Sequence, residues 1–144
     1  MANAGVTYHL DTRELDKLAA ALNGNRMDVL TAAGFEVERS AKKRAPYITG
    51  ALSNSIFTKT SKENDYSEAS SNARDKNENV EILSLDEFPD DENKVIIAPC
   101  VNYGIWVELG HGENPTPKPY LFPALEEIIN AINQGKFWER LFKR

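Results

Sequence analysis

Met27, Leu30, Gly34, Val37 and Ala41 recur at alternating steps of three and four residues. That is the spacing of one face of an α-helix, and it constrains this chain more than any other feature. The pattern predicts a long helix from Arg26 to Lys43 with a single buried stripe. Ala33, Gly34 and Ala41 are small enough to let another element come close to the helix backbone. Lys42, Lys43 and Arg44 fall in the last turn, where cations complement the helix dipole. Pro46 then disfavours helical geometry at Ala45 and ends the helix.

The flanking segments read in the same way. Asp11 and Glu14 have capping-box spacing. Leu15, Leu18, Ala19 and Leu22 follow at helical intervals, and Asn23-Gly24-Asn25 stops that first helix. After a turn at Thr49-Gly50, the alternation from Leu52 to Lys59 suggests a strand. Between Thr60 and Asn79 the hydrophobic residues are Tyr66, Ala69 and Ala73, so a long polar acidic loop is expected. Val80, Ile82 and Leu83 suggest a short strand, Asp90 to Asn93 a hairpin turn, and Lys94 to Ala98 a central strand closed by Pro99. Tyr103 to Gly110 suits a short helix. Pro115, Pro117 and Pro119 demand an extended loop. Pro123 sits near the first turn of a last helix whose stripe is Leu125, Ile128, Ile129 and Ile132. Residues 136–144 form an amphipathic, cationic extension. The expectation is one α+β domain over 1–144: two N-terminal helices, a small antiparallel sheet with a long polar loop, and a short helix and a C-terminal helix packed on the sheet.

Charge is unevenly spread. The formal net charge is −5, but Ser61 to Asn93 holds eleven acidic and three basic side chains, a net −8 that leaves +3 for the rest. The acidic balance argues against nucleic-acid binding by that segment. Cys100 is the single cysteine, which excludes an internal disulfide and makes a reducing cytosol the default. Met1-Ala2-Asn3-Ala4 lacks a basic leader region. No apolar run approaches the length that spans a bilayer, so no membrane partner is expected.

Catalytic signatures are sparse. His111-Gly112-Glu113 and Pro99-Cys100 match fragments of a zinc-deaminase pattern, but Tyr103 stands where the second cysteine belongs and the order is reversed. Glu108 and His111 have Glu-x-x-His spacing, a single copy of a motif that metal sites use in pairs. His9 reads as an edge residue and Cys100 as a small buried hydrophobe. The acidic run Asp86 to Glu92 lacks the glycine and spacing of a calcium loop. No catalytic, cofactor or metal residues are assigned. Two features stand out instead. Phe137, Trp138, Leu141 and Phe142 serve either core packing or a subunit interface. Lys42, Lys43 and Arg44 are a second interface candidate, able to face acidic partners. The acidic loop is either a solvated linker or a functional arm, one that orders on a partner or repels DNA from a surface.

Three segments carry a resemblance. Ala45-Pro46-Tyr47-Ile48-Thr49-Gly50-Ala51-Leu52-Ser53-Asn54-Ser55-Ile56 resembles the Ala-Pro-x-x-Thr-Gly-x-Leu-x-x-Ser-Ile segment of the tail-component family of HK-type lambdoid phages. Tyr103 to His111, with Val107, Glu108 and Gly110, is similar to that family's Tyr-Ala-x-x-Val-Glu-x-Gly-Thr. Lys118-Pro119-Tyr120-Leu121-Phe122-Pro123-Ala124-Leu125 is similar to its Gln-Pro-Phe-Leu-x-Pro-Ala-Leu. Order and spacing agree over roughly Leu15 to Ile132; His111 for Thr and the polar insertion before Val80 depart from the pattern. The resemblance implies a non-enzymatic virion protein of the neck or tail, made in the bacterial host cytoplasm. It would act in head–tail joining or tail completion as a ring-like homo-oligomer beside other neck, connector or tail proteins. DNA would pass through the channel without sequence-specific binding. Two other readings are open: a small host-encoded protein-binding module, and a metal-dependent hydrolase.

Overall fold

Asp11 begins the first helix by accepting a hydrogen bond from the Arg13 N–H at 2.9 Å. The computed structural model of the chain describes residues 9–47, 49–89, 91–110 and 116–142. In it, α1 (Thr12–Ala21) buries Leu15, Leu18 and Ala19. Asn23, at φ 59°, turns the chain in the left-handed region that asparagine tolerates. Asn25 and Asp28 then cap α2 (Arg26–Arg44) reciprocally, at 3.1 and 2.7 Å.

The expected single stripe on α2 is wider in the structure. Gly34, Val37 and Ala41 are buried, but Met27 and Leu30 are half-buried, and Val29, Glu36, Glu38 and Ser40 are buried as well. The reason is that α2 is covered on more than one side, by α1 and α6 (Leu121–Asn133) and by strand β1 (Ile56–Lys59). Gly34 makes the last contact feasible. A Cβ there would lie 2.6 Å from Val95 Cγ1 and 3.0 Å from Thr58 Cγ2.

The segment expected to be one strand is split. Gly50, at φ 87°, starts a short helix α3 (Ala51–Ser55), and the strand β1 begins only at Ile56. Ala51, Leu52 and Ser55 are buried together, a helical grouping that the imperfect alternation concealed. β1 pairs antiparallel with β2 (Ile96–Pro99), Ile56 opposite Pro99 and Lys59 opposite Ile96. The stretch Val80 to Leu83 is not a strand: Ile82 makes one isolated bridge to Val101, and a 3₁₀ turn follows at Leu85–Glu87. Asp90, in the expected hairpin turn, lies outside the described residues.

The long polar loop is corrected most. Residues 66–76 form a helix, α4 (Tyr66–Lys76), which buries Ala69, Ser70 and Ala73 against α3 and β1. After β2 come α5 (Gly104–Leu109), α6 and α7 (Phe137–Phe142). The architecture is α+β with a two-stranded sheet. The C-terminal helix α6 is seated on α2 rather than on the sheet. One core gathers α1, α2, α6 and Phe137. A smaller cluster holds Phe57, Ala69 and Cys100, and Ile82 touches both. Among the described residues no helix is long and apolar enough to cross a membrane.

Candidate functional site

The first family-like segment is tied to the end of α2 and to Cys100, and the second and third are joined to each other. In the first, Thr49 Oγ1 accepts from the Ala51 N–H at 3.2 Å. Asn54 returns its side-chain amide to Gly50 O at 2.7 Å, and Ser53 Oγ donates to Lys42 O at 2.9 Å, tying the turn to the end of α2. Ser55 Oγ donates to Leu52 O, and Ser55 O accepts from the Cys100 N–H at 3.0 Å. Leu52, Ser55 and Ile56 are buried, Pro46 is half-buried and Ile48 lies outside the described residues.

The second and third segments are joined by one carboxylate. Helix α6 starts at Leu121 with no side-chain cap from its own N-cap, Tyr120. A helix leaves its first four N–H groups without internal partners. Glu108, buried on α5, accepts from Tyr120 N at 2.9 Å and Leu121 N at 2.7 Å through Oε1, and from Phe122 N at 3.2 Å through Oε2. The next residue, Pro123, has no N–H to satisfy. Glu108 and Pro123 therefore account for the whole helix start, and a carboxylate also complements the positive end of the dipole. The Tyr120 hydroxyl returns to Gly104 O at 2.8 Å; burial, with Glu108 and Tyr103 nearby, pushes that hydroxyl's pKa well up. Gly104 has no room for a side chain, since a Cβ would sit 2.3 Å from Pro99 Cγ. Ala124 is buried, while Tyr103, Val107, Phe122, Pro123 and Leu125 are half-buried and Pro119 is exposed. Gly110, at φ 82°, ends α5. His111, and with it the Glu-x-x-His pairing, lies outside the described residues.

The interface candidates separate. Phe137 is fully buried in the core, and Leu141 packs against it, so both belong to the fold. The Phe142 side chain lies outside the described residues. Trp138 is 40% exposed, Trp106 46% and Tyr47 75%. Of the cations, Lys42 is bound to Glu38 at 2.9 Å and Arg44 to Glu127 at 2.8 Å. Lys43 is exposed and, with Arg39, lines an open hollow of about 410 Å³.

Sequence reasoning missed two polar clusters on α2. Glu36, Ser40 and Arg44 follow one row of the helix at steps of four. Ser40 Oγ and the guanidinia of Arg44 and Arg140 all donate to Glu127. Burial works to raise the Glu127 carboxyl, but Arg44 and Ser40 hold it below its usual range. The i, i+4 repeat was the available signal. On the other row Glu38 meets Lys42, Thr58 and Asp65. Burial first, then the Asp65 hydrogen bond, pushes Glu38 up to about 7, against Lys42 and Thr58. Nothing in the sequence placed Asp65 there, because its helix was read as a loop.

As chemistry, the members of each cluster bind one another. Among the described residues no group of His, Cys, Asp and Glu is placed to hold a metal ion. Cys100 is fully buried and burial pushes its thiol up to about 11, leaving little thiolate at neutral pH. Comparison of the chain with protein-family models, curated proteins and solved structures finds no match.

Proposed function

We propose that this chain is a non-enzymatic structural subunit of the neck or tail of a long-tailed phage or prophage. It serves head–tail joining or tail completion by assembling into a ring-like homo-oligomer beside portal-side or tail proteins. The observation that carries the reading is the order and spacing of the three family-like segments. Their interlocking supports it: Glu108 of the second segment caps the helix of the third, and Ser55 of the first holds Cys100 just before the second. Residues held in this way determine a fold, as the resemblance implies for its motifs. The exposed side chains of Tyr47, Trp106 and Trp138 supply aromatic surface of the kind enriched at subunit contacts.

The test is removal of the chain from a particle-producing strain. The expected result is filled heads and free tails that fail to join, restored by the wild-type chain. Trp106→Ala combined with Trp138→Ala is expected to restore fewer joined particles while leaving the fold intact by circular dichroism. Joined, infectious particles at normal yield without the chain would overturn the reading.

A further inference from the structure

Helix α2 borders two open hollows, one near each end, and their charges are opposite. At the C-terminal end the hollow of about 410 Å³ is lined by four cations, Arg39, Lys43, Arg44 and Arg140, against the two carboxylates of Glu36 and Glu127, a net +2. Arg44 and Arg140 converge on Glu127. Arg140 Nε, 3.9 Å from Glu36 Oε1, is buried without a hydrogen-bond acceptor, so donors outnumber acceptors here. Arg39 and Lys43 are exposed, and neither makes an ion pair among the described residues. Standing four residues apart, they lie on one face of the helix. The surplus positive charge of the hollow sits on these two.

At the N-terminal end the hollow is about 770 Å³, and three carboxylates, Asp28, Glu63 and Glu92, border it against Lys62, a net −2. Glu63 and Glu92 are exposed and make no ion pair among the described residues. The backbone of Glu63 is fixed: its carbonyl accepts from the Thr60 N–H at 2.8 Å, and its N–H donates to Thr60 Oγ1 at 3.1 Å. Exposed Asp86 lines the neighbouring hollow with Glu63, which extends the acidic face. Other cations in these segments are engaged, Lys94 with Asp91 and Arg26 with Asp16. Asp28 and Lys43 are fifteen residues apart on α2, about 22 Å at the helical rise. That exceeds the screening length of about 8 Å at physiological salt, so within one molecule the two faces do not neutralise each other.

We propose that these two faces dock on each other between copies of the chain, with Arg39 and Lys43 of one molecule receiving Glu63 and Glu92 of the next. Charge selects this pairing. Two cationic hollows repel each other, and so do two acidic faces, which disfavours a two-fold contact between identical surfaces. A cationic hollow against an acidic face is the complementary match. Each docking step leaves one hollow and one face open at the ends of the pair, so a third copy adds in the same way. Such a head-to-tail contact gives a ring where its rotation closes and a filament where it does not. Exposed ion pairs contribute little each, so the contact is weak in solution and sensitive to salt. The inference rests on the charge pattern and not on the virion reading.

The test is sedimentation velocity on the isolated full chain, taken to millimolar concentration. The wild type is expected to form dimers and larger species at about 20 mM salt, with an association constant about tenfold lower at about 200 mM. Arg39→Gln with Lys43→Gln removes the cationic partner, and Glu63→Gln with Glu92→Gln removes the acidic one. Both double variants are expected to stay monomeric at low salt with the wild-type circular dichroism spectrum, since all four side chains are exposed. An equimolar mixture of the two is expected to form a dimer that does not grow, because one intact hollow and one intact face remain to meet. A wild type that is monomeric at low salt, a double variant that associates like the wild type, or a mixture that stays monomeric would each overturn the proposal. None of these outcomes involves head–tail joining, so a failure here leaves the proposed function to its own test.

Discussion

Glu108 and Glu38 are both buried glutamates in a chain of this modest size, and their surroundings are opposite. Glu108 faces three backbone N–H groups, so every neighbour donates to it. Glu38 faces donors in Thr58 and Lys42 but also a second carboxyl, Asp65. The first arrangement matches acceptor oxygens to donors and serves as a fixed joint between α5 and α6. The second leaves the charge conditional, and it sits under the most polar helix of the fold. The difference teaches that burial alone does not say what a carboxylate contributes; the sign of its partners does.

The largest expected effect comes from breaking the fixed joint. Glu108→Ala leaves three N–H groups at the start of α6 without their acceptor in a buried site and is expected to cost about 4 kcal/mol. The midpoint of urea unfolding at constant slope measures it. Glu108→Gln keeps an oxygen for Tyr120 and Leu121 and is expected to cost less than half as much. Equal costs for the two substitutions would mean that packing, not capping, is what Glu108 contributes.

Next comes the conditional charge. Glu38 is held up to about 7 against an ordinary value of 4.5, so the folded state binds its proton more tightly than the unfolded state does. The stabilisation is fully present below about 4.5 and is lost as the pH rises through about 7. Its span is up to about 3 kcal/mol. Unfolding free energies of the wild type minus those of Glu38→Gln, measured across that window, are expected to fall with pH. A difference that stays level would remove the contrast with Glu108.

Smaller again is the support behind the fixed joint. Tyr120→Phe removes the hydroxyl that donates to the buried Gly104 carbonyl and is expected to cost about 1–2 kcal/mol. That loss is expected to be the same at every pH between 5 and 8, since no group titrating in that range is altered, and the same unfolding series reads it.

How much of this was legible follows the chemistry of each segment. Helices α1 and α2 were readable because Asp11 and Asn25 mark their starts and Pro46 follows α2. The Glu108 joint was half readable. Its motif was visible, and α6 lacks a Ser, Thr, Asp or Asn at its N-cap, a gap that calls for a cap from elsewhere. Geometry alone supplies the donor pattern. Helix α4 was not readable because it buries Ala69, Ser70 and Ala73 rather than large apolar residues, so no stripe rises above its polar composition. Helix α3 was hidden because a single turn is too short for a period to show. That Glu38 and Asp65 are both held by Thr58 was hidden with α4, whose start Asp65 precedes.

The finest test of the contrast is Lys42. Its ammonium lies 2.9 Å from Glu38 Oε2 and pulls that carboxyl toward ionisation. Because the Lys42 side chain is 37% exposed, its loss in Lys42→Met is expected to cost under about 1 kcal/mol. The informative readout is therefore the titration of Glu38, followed by the carboxyl carbon shift in NMR. Removing the cation is expected to move the midpoint to higher pH, and with it the upper end of the stability slope. Arg44→Met removes a cation from the same turn, but one that is committed to Glu127, so it is expected to leave the Glu38 midpoint in place. If both substitutions shift the midpoint equally, the conditional charge answers to the general field of the helix end. If only Lys42→Met shifts it, the local set of Lys42, Thr58 and Asp65 makes Glu38 behave unlike Glu108.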